Sequence, residues 1–373
     1  MTKRYVTSSL FVAALAAVLA TPVAAQSSYT FTRIADTGSF PGGIKGPVAL
    51  NDDGLVAFVG VRDGGVTGVF VGRGGPVTTV ADTSGTFTFF GFPGINGLGQ
   101  ATFFANKGNH LGGYYAGLDG ATTIVENRGA VAFFGGDVSS SPSGSFSTVK
   151  MIPRLPREAQ VIVAGDGGRV IRIADTSGSF GVLDLDPHVN ASGRVVFHAK
   201  RRDFSEGIFV GRGGALDTIA DTSGAFVSFN DSPAINDDGD VLFEASVIDS
   251  NGEVIDGLFL GRRGEIRTVL DSTGAFAGFG LAPALNARGE IAFQGTTASL
   301  TTKSLTGIFT GGDPVADRVI ATDDPLDGST VSGFDEGSFR SSLNNAGQIA
   351  FLVFLADGRT GVYRADPVRG DRP

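Results

Sequence analysis

The side chains best suited to acid–base chemistry lie on either side of one proline. Asp186 and His188 flank Pro187 on a segment predicted to be an inner β-strand. Residues two apart on a strand project to the same face, so this pair could act as a general acid and base or bind a metal ion. Either role needs partner groups that the sequence does not identify. Hydrogen bonding of the histidine within the fold is the alternative.

A second charged stretch follows, in what is predicted to be the next loop of the same unit. It reads His198-Ala199-Lys200-Arg201-Arg202-Asp203. A run of basic residues in a loop is typical of a solvated surface and could contact a partner through exposed charges. The partner-binding candidates are therefore His198, Lys200, Arg201, Arg202 and Asp203. The candidates for a site in a central channel are Asp186 and His188.

Other short motifs lack the residues that known sites need. Gly72-Arg73-Gly74-Gly75 has neither a following helix nor a Lys-Ser/Thr pair, so it predicts a hairpin turn and not a phosphate-binding loop. Asp249 to Gly252 matches only the first half of a calcium-binding loop. The absence of cysteine excludes disulfides, thiolate metal sites and cysteine catalysis. We therefore predict no cofactor, no catalytic residue and no metal ligand.

An Asn-x-x-Gly sequence recurs through most of the chain. It begins at Asn51, Asn96, Asn190, Asn236, Asn286 and Asn344. One gap is twice the usual spacing and contains the degenerate Ser141-Pro142-Ser143-Gly144, which makes a third unit at about residues 126–174. The acidic neighbours of the asparagines vary, which disfavours a cation site. We interpret the motif, and the recurring Asp-Thr-Ser-Gly, as turns closed by a local side-chain hydrogen bond.

Each unit carries the pattern of four β-strands. An apolar residue five positions after the asparagine and a phenylalanine seven positions after it, as in Val241 and Phe243, give the alternation of a half-buried strand. Units of this length with four strands are typical of β-propeller blades. The predicted fold is an all-β propeller of seven four-stranded blades, with six or eight as alternatives. Tyr29 to Asp36 resembles the outer strand that the last unit lacks, so we expect it to close the ring.

The repeat also resembles a known family. Pro233 to Phe243 (PAINDDGDVLF) and Pro283 to Phe293 (PALNARGEIAF) resemble the repeat of the secreted choice-of-anchor tandem repeat NxxGxxAF-containing proteins. The layout is similar to TolB-type β-propellers, in which Ser-Pro-Asp-Gly replaces the asparagine step. The resemblance covers most of residues 29–365 and implies the fold. It implies no activity, because the family has no established function.

The first 25 residues are typical of a secretory signal peptide. Two basic residues precede the apolar run Leu10 to Ala20, which is too short to span a membrane. Cleavage after Ala25 would leave one propeller domain at residues 26–366 and a polar tail at 367–373, and would change the formal net charge from −9 to −11. This acidity argues against nucleic acid and anionic membranes as partners. We expect a secreted monomer, periplasmic or extracellular, without membrane insertion.

These features favour a non-catalytic module that binds a protein or a glycan through its variable loops. The loops share one rim with the Asp-Thr-Ser-Gly connections and lie at residues 61–65, 105–112, 199–206, 245–256 and 295–306. The first alternative is a glycan hydrolase or lyase with a site in the axial channel. The predicted inner strands disfavour it, because they are mostly Pro, Ala, Ile, Leu and Ser. A structural cell-surface spacer is the further alternative.

Overall fold

Seven antiparallel sheets form the blades of a β-propeller, which confirms the predicted fold class. The structure, a computed structural model, describes residues 29–108, 112–118, 121–126, 133–140, 146–152, 159–165, 170–262, 264–280, 282–298, 303–335 and 342–368. The predicted signal peptide and the turn at residues 141–144 lie outside these ranges. Within the ranges, no helix has the length and apolar character of a membrane span.

The strands of each blade run in sequence from the inner to the outer edge, except that β1 forms the outer edge of blade 7. The chain begins with β1 (Tyr29–Asp36). Blade 1 contains β2 (Ile44–Leu50), β3 (Val56–Val61), β4 (Thr67–Gly72) and β5 (Thr78–Asp82), with a short 3₁₀ turn at Asp63–Gly65. Blade 2 contains β6 (Phe87–Phe90), β7 (Gly94–Ile95), β8 (Ala101–Lys107), β9 (Gly112–Gly117) and β10 (Ala121–Glu126). Blade 3 contains β11 (Phe133–Ser140), β12 (Phe146–Ile152), β13 (Ala159–Gly165) and β14 (Val170–Asp175).

The other four blades repeat this order. Blade 4 contains β15 (Phe180–Leu183), β16 (His188–Val189), β17 (Val195–Arg201), β18 (Glu206–Gly211) and β19 (Asp217–Asp221). Blade 5 contains β20 (Phe226–Phe229), β21 (Ala234–Ile235), β22 (Val241–Ile248), β23 (Val254–Arg262) and β24 (Glu265–Asp271). Blade 6 contains β25 (Phe276–Phe279), β26 (Ala284–Leu285), β27 (Ile291–Thr297), β28 (Thr306–Phe309) and β29 (Arg318–Ala321). Blade 7 contains β30 (Pro325–Leu326), β31 (Ser329–Phe334), β32 (Ile349–Leu355) and β33 (Thr360–Pro367).

The repeated phenylalanines build the core between blades. Phe243 of β22 lies directly opposite Phe259 of β23, and their rings stack with centroids 5.8 Å apart. The same cross-strand pair recurs as Phe197 and Phe209, whose rings are tilted with centroids also 5.8 Å apart. Alternation along β22 turns Phe243 towards blade 4 and Leu242 towards blade 6. Blade 5 therefore presents an apolar face to both of its neighbours, as strands of period two allow.

The inner strand of most blades is divided into two pieces. In blade 5, β20 and β21 pair with different parts of β22, and residues 230–233 lie between them. The sequence predicted only the second piece, Pro233 to Ile235. Side chains of the interruption reach the neighbouring blade, since Ser232 bonds to Asp186 of blade 4.

The N-terminal strand completes the last blade, as predicted. β1 pairs antiparallel with β33 from Tyr29 opposite Pro367 to Asp36 opposite Gly361. The Asp327 carboxylate supports this closure, because its Oδ2 accepts hydrogen bonds from Arg33 Nη1 at 2.8 Å and Tyr363 Oη at 2.9 Å. The ring is thus closed by main-chain pairing and by side chains from both ends of the chain.

Candidate functional site

The Asn-x-x-Gly motifs are tight turns between the inner strand and the next strand. Asn286 is representative: its Oδ1 accepts hydrogen bonds from the main-chain N of Arg288 and of Glu290, both at 3.0 Å. Gly289 has φ +77°, a conformation that favours glycine. This geometry confirms the predicted turn.

Asn96 Nδ2 donates to Oε1 of Gln100 in its own turn at 2.9 Å, but in the other five motifs the amide nitrogen of the asparagine links neighbouring blades. Its Nδ2 donates a hydrogen bond to the main-chain carbonyl of the corresponding asparagine in the next blade, at 2.9 to 3.3 Å. The donor and acceptor pairs are Asn190 to Asn236, Asn236 to Asn286, Asn286 to Asn344, Asn344 to Asn51 and Asn51 to Asn96. We call this set the asparagine belt. All six side chains are buried, so the motif holds the ring together as well as forming turns.

The titratable side chains that line the axial channel beside the asparagine belt are already hydrogen-bonded to adjacent blades. The channel is lined by the belt and by aliphatic residues that precede it, among them Val189, Ile235 and Leu285. Asp52 and Asp237 also reach it. Their carboxylates accept hydrogen bonds from main-chain N atoms of the preceding blade, Asn345 N at 2.8 Å and Ala191 N at 2.7 Å.

Asp186 and His188, the candidate channel pair, both contact blade 5. Asp186 Oδ2 accepts a hydrogen bond from Ser232 Oγ at 2.8 Å. His188 Nδ1 accepts one from Ile235 N at 3.1 Å, and the ring is 9% exposed at the channel. The structure therefore gives both side chains a role in joining blades.

His198 lies inside β17 and not in a loop, which corrects our placement of this residue. Its ring is 1% exposed and faces blade 5 beside Phe229. Nδ1 forms a short hydrogen bond with Asp184 and lies 3.2 Å from Oδ1 of Asp231. On the other side of the ring, Nε2 lies 3.6 Å from Oε2 of Glu206 and makes no hydrogen bond within the described part of the chain.

These contacts shift the ionisation of the cluster. Burial lowers the pKa of His198, but hydrogen bonds with Asp184 and Asp231 outweigh it and raise the pKa to about 9. Burial raises the pKa of Asp184, although its hydrogen bond to the imidazole acts in the opposite direction. The hydrogen bond to His198 lowers the pKa of Asp231. The two carboxylates thus favour the protonated form of the ring.

Lys200 and Arg201 are both engaged in ion pairs. Lys200 Nζ lies 3.0 Å from Oε2 of Glu206, which raises the lysine pKa. Arg201 Nη1 lies 3.2 Å from Oδ2 of Asp221. The Arg201 guanidinium also lies over the ring of Phe209, 4.8 Å from its centroid.

Arg202 and Asp203 shape the turn that follows. Arg202 donates from Nε to the Gly178 carbonyl at 2.8 Å and from Nη2 to the Thr176 carbonyl at 2.6 Å. Asp203 Oδ1 accepts from the Ser205 main chain at 3.1 Å. Arg202 thus connects this loop by hydrogen bonds to the Asp-Thr-Ser-Gly segment on the same rim.

A groove opens beside this loop at the rim that carries the variable loops. It is lined by the basic run and by Val182, Phe204 and Val227. Phe204 is 92% exposed, and the two valines are about half-exposed. We call this surface the rim groove.

Sequence reasoning missed Asp184, Glu206, Asp231 and Glu244. A usable signal was present at the position after the motif phenylalanine, which is apolar in three blades (Val59, Phe104 and Leu352) but polar in three others (His198, Glu244 and Gln294). Glu244 is 7% exposed, and its Oε2 has no hydrogen-bond partner among the residues described. Burial raises the pKa of Glu244 to about 7, although a hydrogen bond with Asn230 lowers it.

Comparison with known proteins gives a match to one family model over part of the chain, and that model carries no activity. A model described as a family of unknown function (DUF7453) matches residues 217–367. No curated protein matches the chain.

Solved structures share the fold at low identity. An acylaminoacyl peptidase from Pyrococcus horikoshii is 13% identical, with a TM-score of 0.56 over 89% of this chain and 53% of the peptidase. A puromycin-hydrolyzing peptidase from Mycobacterium tuberculosis is 14% identical, with a TM-score of 0.53 over 87% of this chain and 52% of the enzyme. The β-propeller domain of the trilobed protease from Pyrococcus furiosus is 12% identical, with a TM-score of 0.49 over 75% of this chain and 85% of the domain. The chain spans about half the length of the two peptidases, and the likeness is one of fold.

Proposed function

We propose that the protein is a secreted binding module without catalytic activity of its own, which binds a partner protein at the rim groove. The observation that carries this proposal is Phe204, a large apolar side chain that is 92% exposed at the edge of the groove. Its main chain has φ +69°, which is rare for a bulky residue. A turn that holds an aromatic ring in water does not stabilise the fold, and such rings are frequent contact residues in protein interfaces.

The surroundings of Phe204 favour a protein partner over a glycan. Val182 and Val227 extend the apolar surface, and the side chain of Lys200 is 53% exposed beside them. Interfaces combine an apolar centre with a charged rim in this way. Glycans stack on Trp and Tyr, but the chain contains no Trp, and no tyrosine of the described residues lines the rim groove.

The channel supports a structural role better than a catalytic one. His188, Asp52 and Asp237 are the titratable groups that line it among the described residues. Each accepts a hydrogen bond from the main chain of an adjacent blade. A general base has to be available to the substrate, and these acceptor atoms are already used.

The proposal is tested with Phe204→Asn, because asparagine tolerates the positive φ while removing the ring. Leu98→Asn is the matched control, since Leu98 is 74% exposed on the opposite rim. The mature protein is immobilised, and proteins from the culture medium and cell envelope of the source organism are quantified by mass spectrometry. A partner is accepted only when Phe204→Asn loses it and Leu98→Asn retains it.

With that partner purified, we expect Phe204→Asn to raise the Kd by about 10- to 100-fold, the range of an interface hot spot. Equal Kd values for the two variants would overturn the proposal. So would a glycan-array signal without protein binding, or turnover in a substrate screen that His188→Ala abolishes.

A further inference from the structure

Three ligand-type atoms from two blades converge between blades 4 and 5. They are Nδ1 of His198 and one carboxylate oxygen each from Asp184 and Asp231, all within 4.8 Å of one another. Asp184 and Asp231 both lie in the interruptions of the inner strands, and His198 projects from β17 towards them. Their approach is therefore produced by the packing of one blade on the next.

The cluster is rigid on one side and open on the other. His198 is 1% exposed and Asp184 is 18% exposed, whereas Asp231 is 63% exposed. A buried ring fixes the direction of Nδ1, and the exposed carboxylate leaves a path for an ion and for water ligands.

The remaining ring nitrogen faces a carboxylate just beyond hydrogen-bond distance. Nε2 is buried without a hydrogen-bond partner in the described ranges, and it points towards Oε2 of Glu206 at 3.6 Å. Metal-binding histidines commonly direct the second ring nitrogen at a carboxylate, which fixes the tautomer. Glu206 is itself held, because Phe229 N donates to its Oε1 at 3.3 Å. Nδ1 is thus the ring nitrogen left to act as a ligand.

The fold does not require polar groups here. The position of His198 is apolar in three other blades, where it is Val59, Phe104 or Leu352, and it is Glu244 in blade 5 and the neutral Gln294 in blade 6. A buried histidine that brings together carboxylates from two blades is a feature of this one interface among the described residues.

We propose that Asp184, His198 and Asp231 bind a divalent transition-metal ion, with Zn²⁺ as the best match. One imidazole and two carboxylates supply three protein ligands, and water completes the coordination at the exposed side, as in zinc sites that keep an open position. The imidazole nitrogen favours Zn²⁺ or Mn²⁺ over Ca²⁺, which takes oxygen ligands. The ion takes the place of the proton on Nδ1 and links blade 4 to blade 5.

The test is calorimetric titration of the mature, chelator-treated protein, purified without a histidine tag. We expect one Zn²⁺ per chain, weaker Mn²⁺ binding and no Ca²⁺ binding. Asp231→Asn should weaken Zn²⁺ binding at least 100-fold, because it removes an exposed ligand without disturbing the core. Asp238→Asn, a matched change at another exposed residue of blade 5, should bind as wild type does.

A second measurement separates a ligand role from a folding effect. Zn²⁺ should raise the thermal midpoint of wild type and of Asp238→Asn but not of Asp231→Asn. His198→Gln should abolish binding while keeping the fold, since glutamine occupies the equivalent place in blade 6. Absence of stoichiometric binding in wild type, or equal binding by Asp231→Asn and Asp238→Asn, would show that the cluster is only an ion-pair network.

Discussion

Replacing Glu244 with glutamine should make the protein more stable at neutral and alkaline pH. Burial between blades 5 and 6 raises the pKa of this carboxyl to about 7 from a reference value of 4.5, despite a hydrogen bond from Asn230; nearby Asp256 also raises it. Between these two values the folded state keeps a proton that the unfolded chain releases. Stability therefore falls as pH rises through this window and stays low above it.

The size of the effect follows from the shift. One pKa unit corresponds to about 1.4 kcal/mol, so this carboxyl lowers the free energy of unfolding at pH 8 by about 3 kcal/mol relative to pH 4. Glu244→Gln removes that loss, and Gln294 shows that blade 6 accommodates an amide at the same position. The buried amide has a desolvation cost of about 1 kcal/mol. We therefore expect a net gain of about 1–2 kcal/mol at pH 8, and none at pH 4.

The assay is urea-induced unfolding of wild type and variant at pH 4, 5, 6, 7 and 8. The difference between the two proteins isolates this one carboxyl from the others that titrate. Glu253→Gln, which changes an exposed carboxyl nearby, should give a pH profile parallel to that of wild type. Parallel profiles for Glu244→Gln and wild type would refute the reasoning, because the carboxyl would then titrate alike in the folded and unfolded states.

Two further predictions concern the core and the closure of the ring. Phe243→Ala should lower the free energy of unfolding by about 3–5 kcal/mol, because the ring is fully buried; a loss near zero in urea unfolding would mean that the strand faces are assigned wrongly. Deleting residues 26–36 removes β1 and exposes sheet edges in blade 7, so the protein should aggregate or unfold. The control, deletion of residues 26–28, should stay monomeric in size-exclusion chromatography. Monomeric elution of the longer deletion would contradict the closure of the ring by β1.

The sequence revealed the parts of the fold that repeat. Alternation around Phe243 predicted the buried strand, and the spacing of the asparagines predicted the blades, because both depend on contacts inside one unit. The turn role of Asn286 was predictable for the same reason. Its bond to the next blade was not, since it depends on how one unit packs against another.

The candidate site was predicted less well for the same physical reason. The basic residues after His198 indicate a loop, but pairing of β17 with β18 continues to Lys200 opposite Glu206. His198 is therefore inside the sheet. Asp231 is 33 residues away in sequence, and only the packing of blade 5 on blade 4 brings it to the imidazole.

The asparagine belt also affects how such a ring can grow. In each link, one residue type supplies both halves of the bond: its side chain donates forwards and its main-chain carbonyl accepts from behind. A duplicated repeat inserted into the ring would therefore arrive with both halves already matched to its neighbours. Gain or loss of a whole blade is thus compatible with the belt without any change of residue at the new junction.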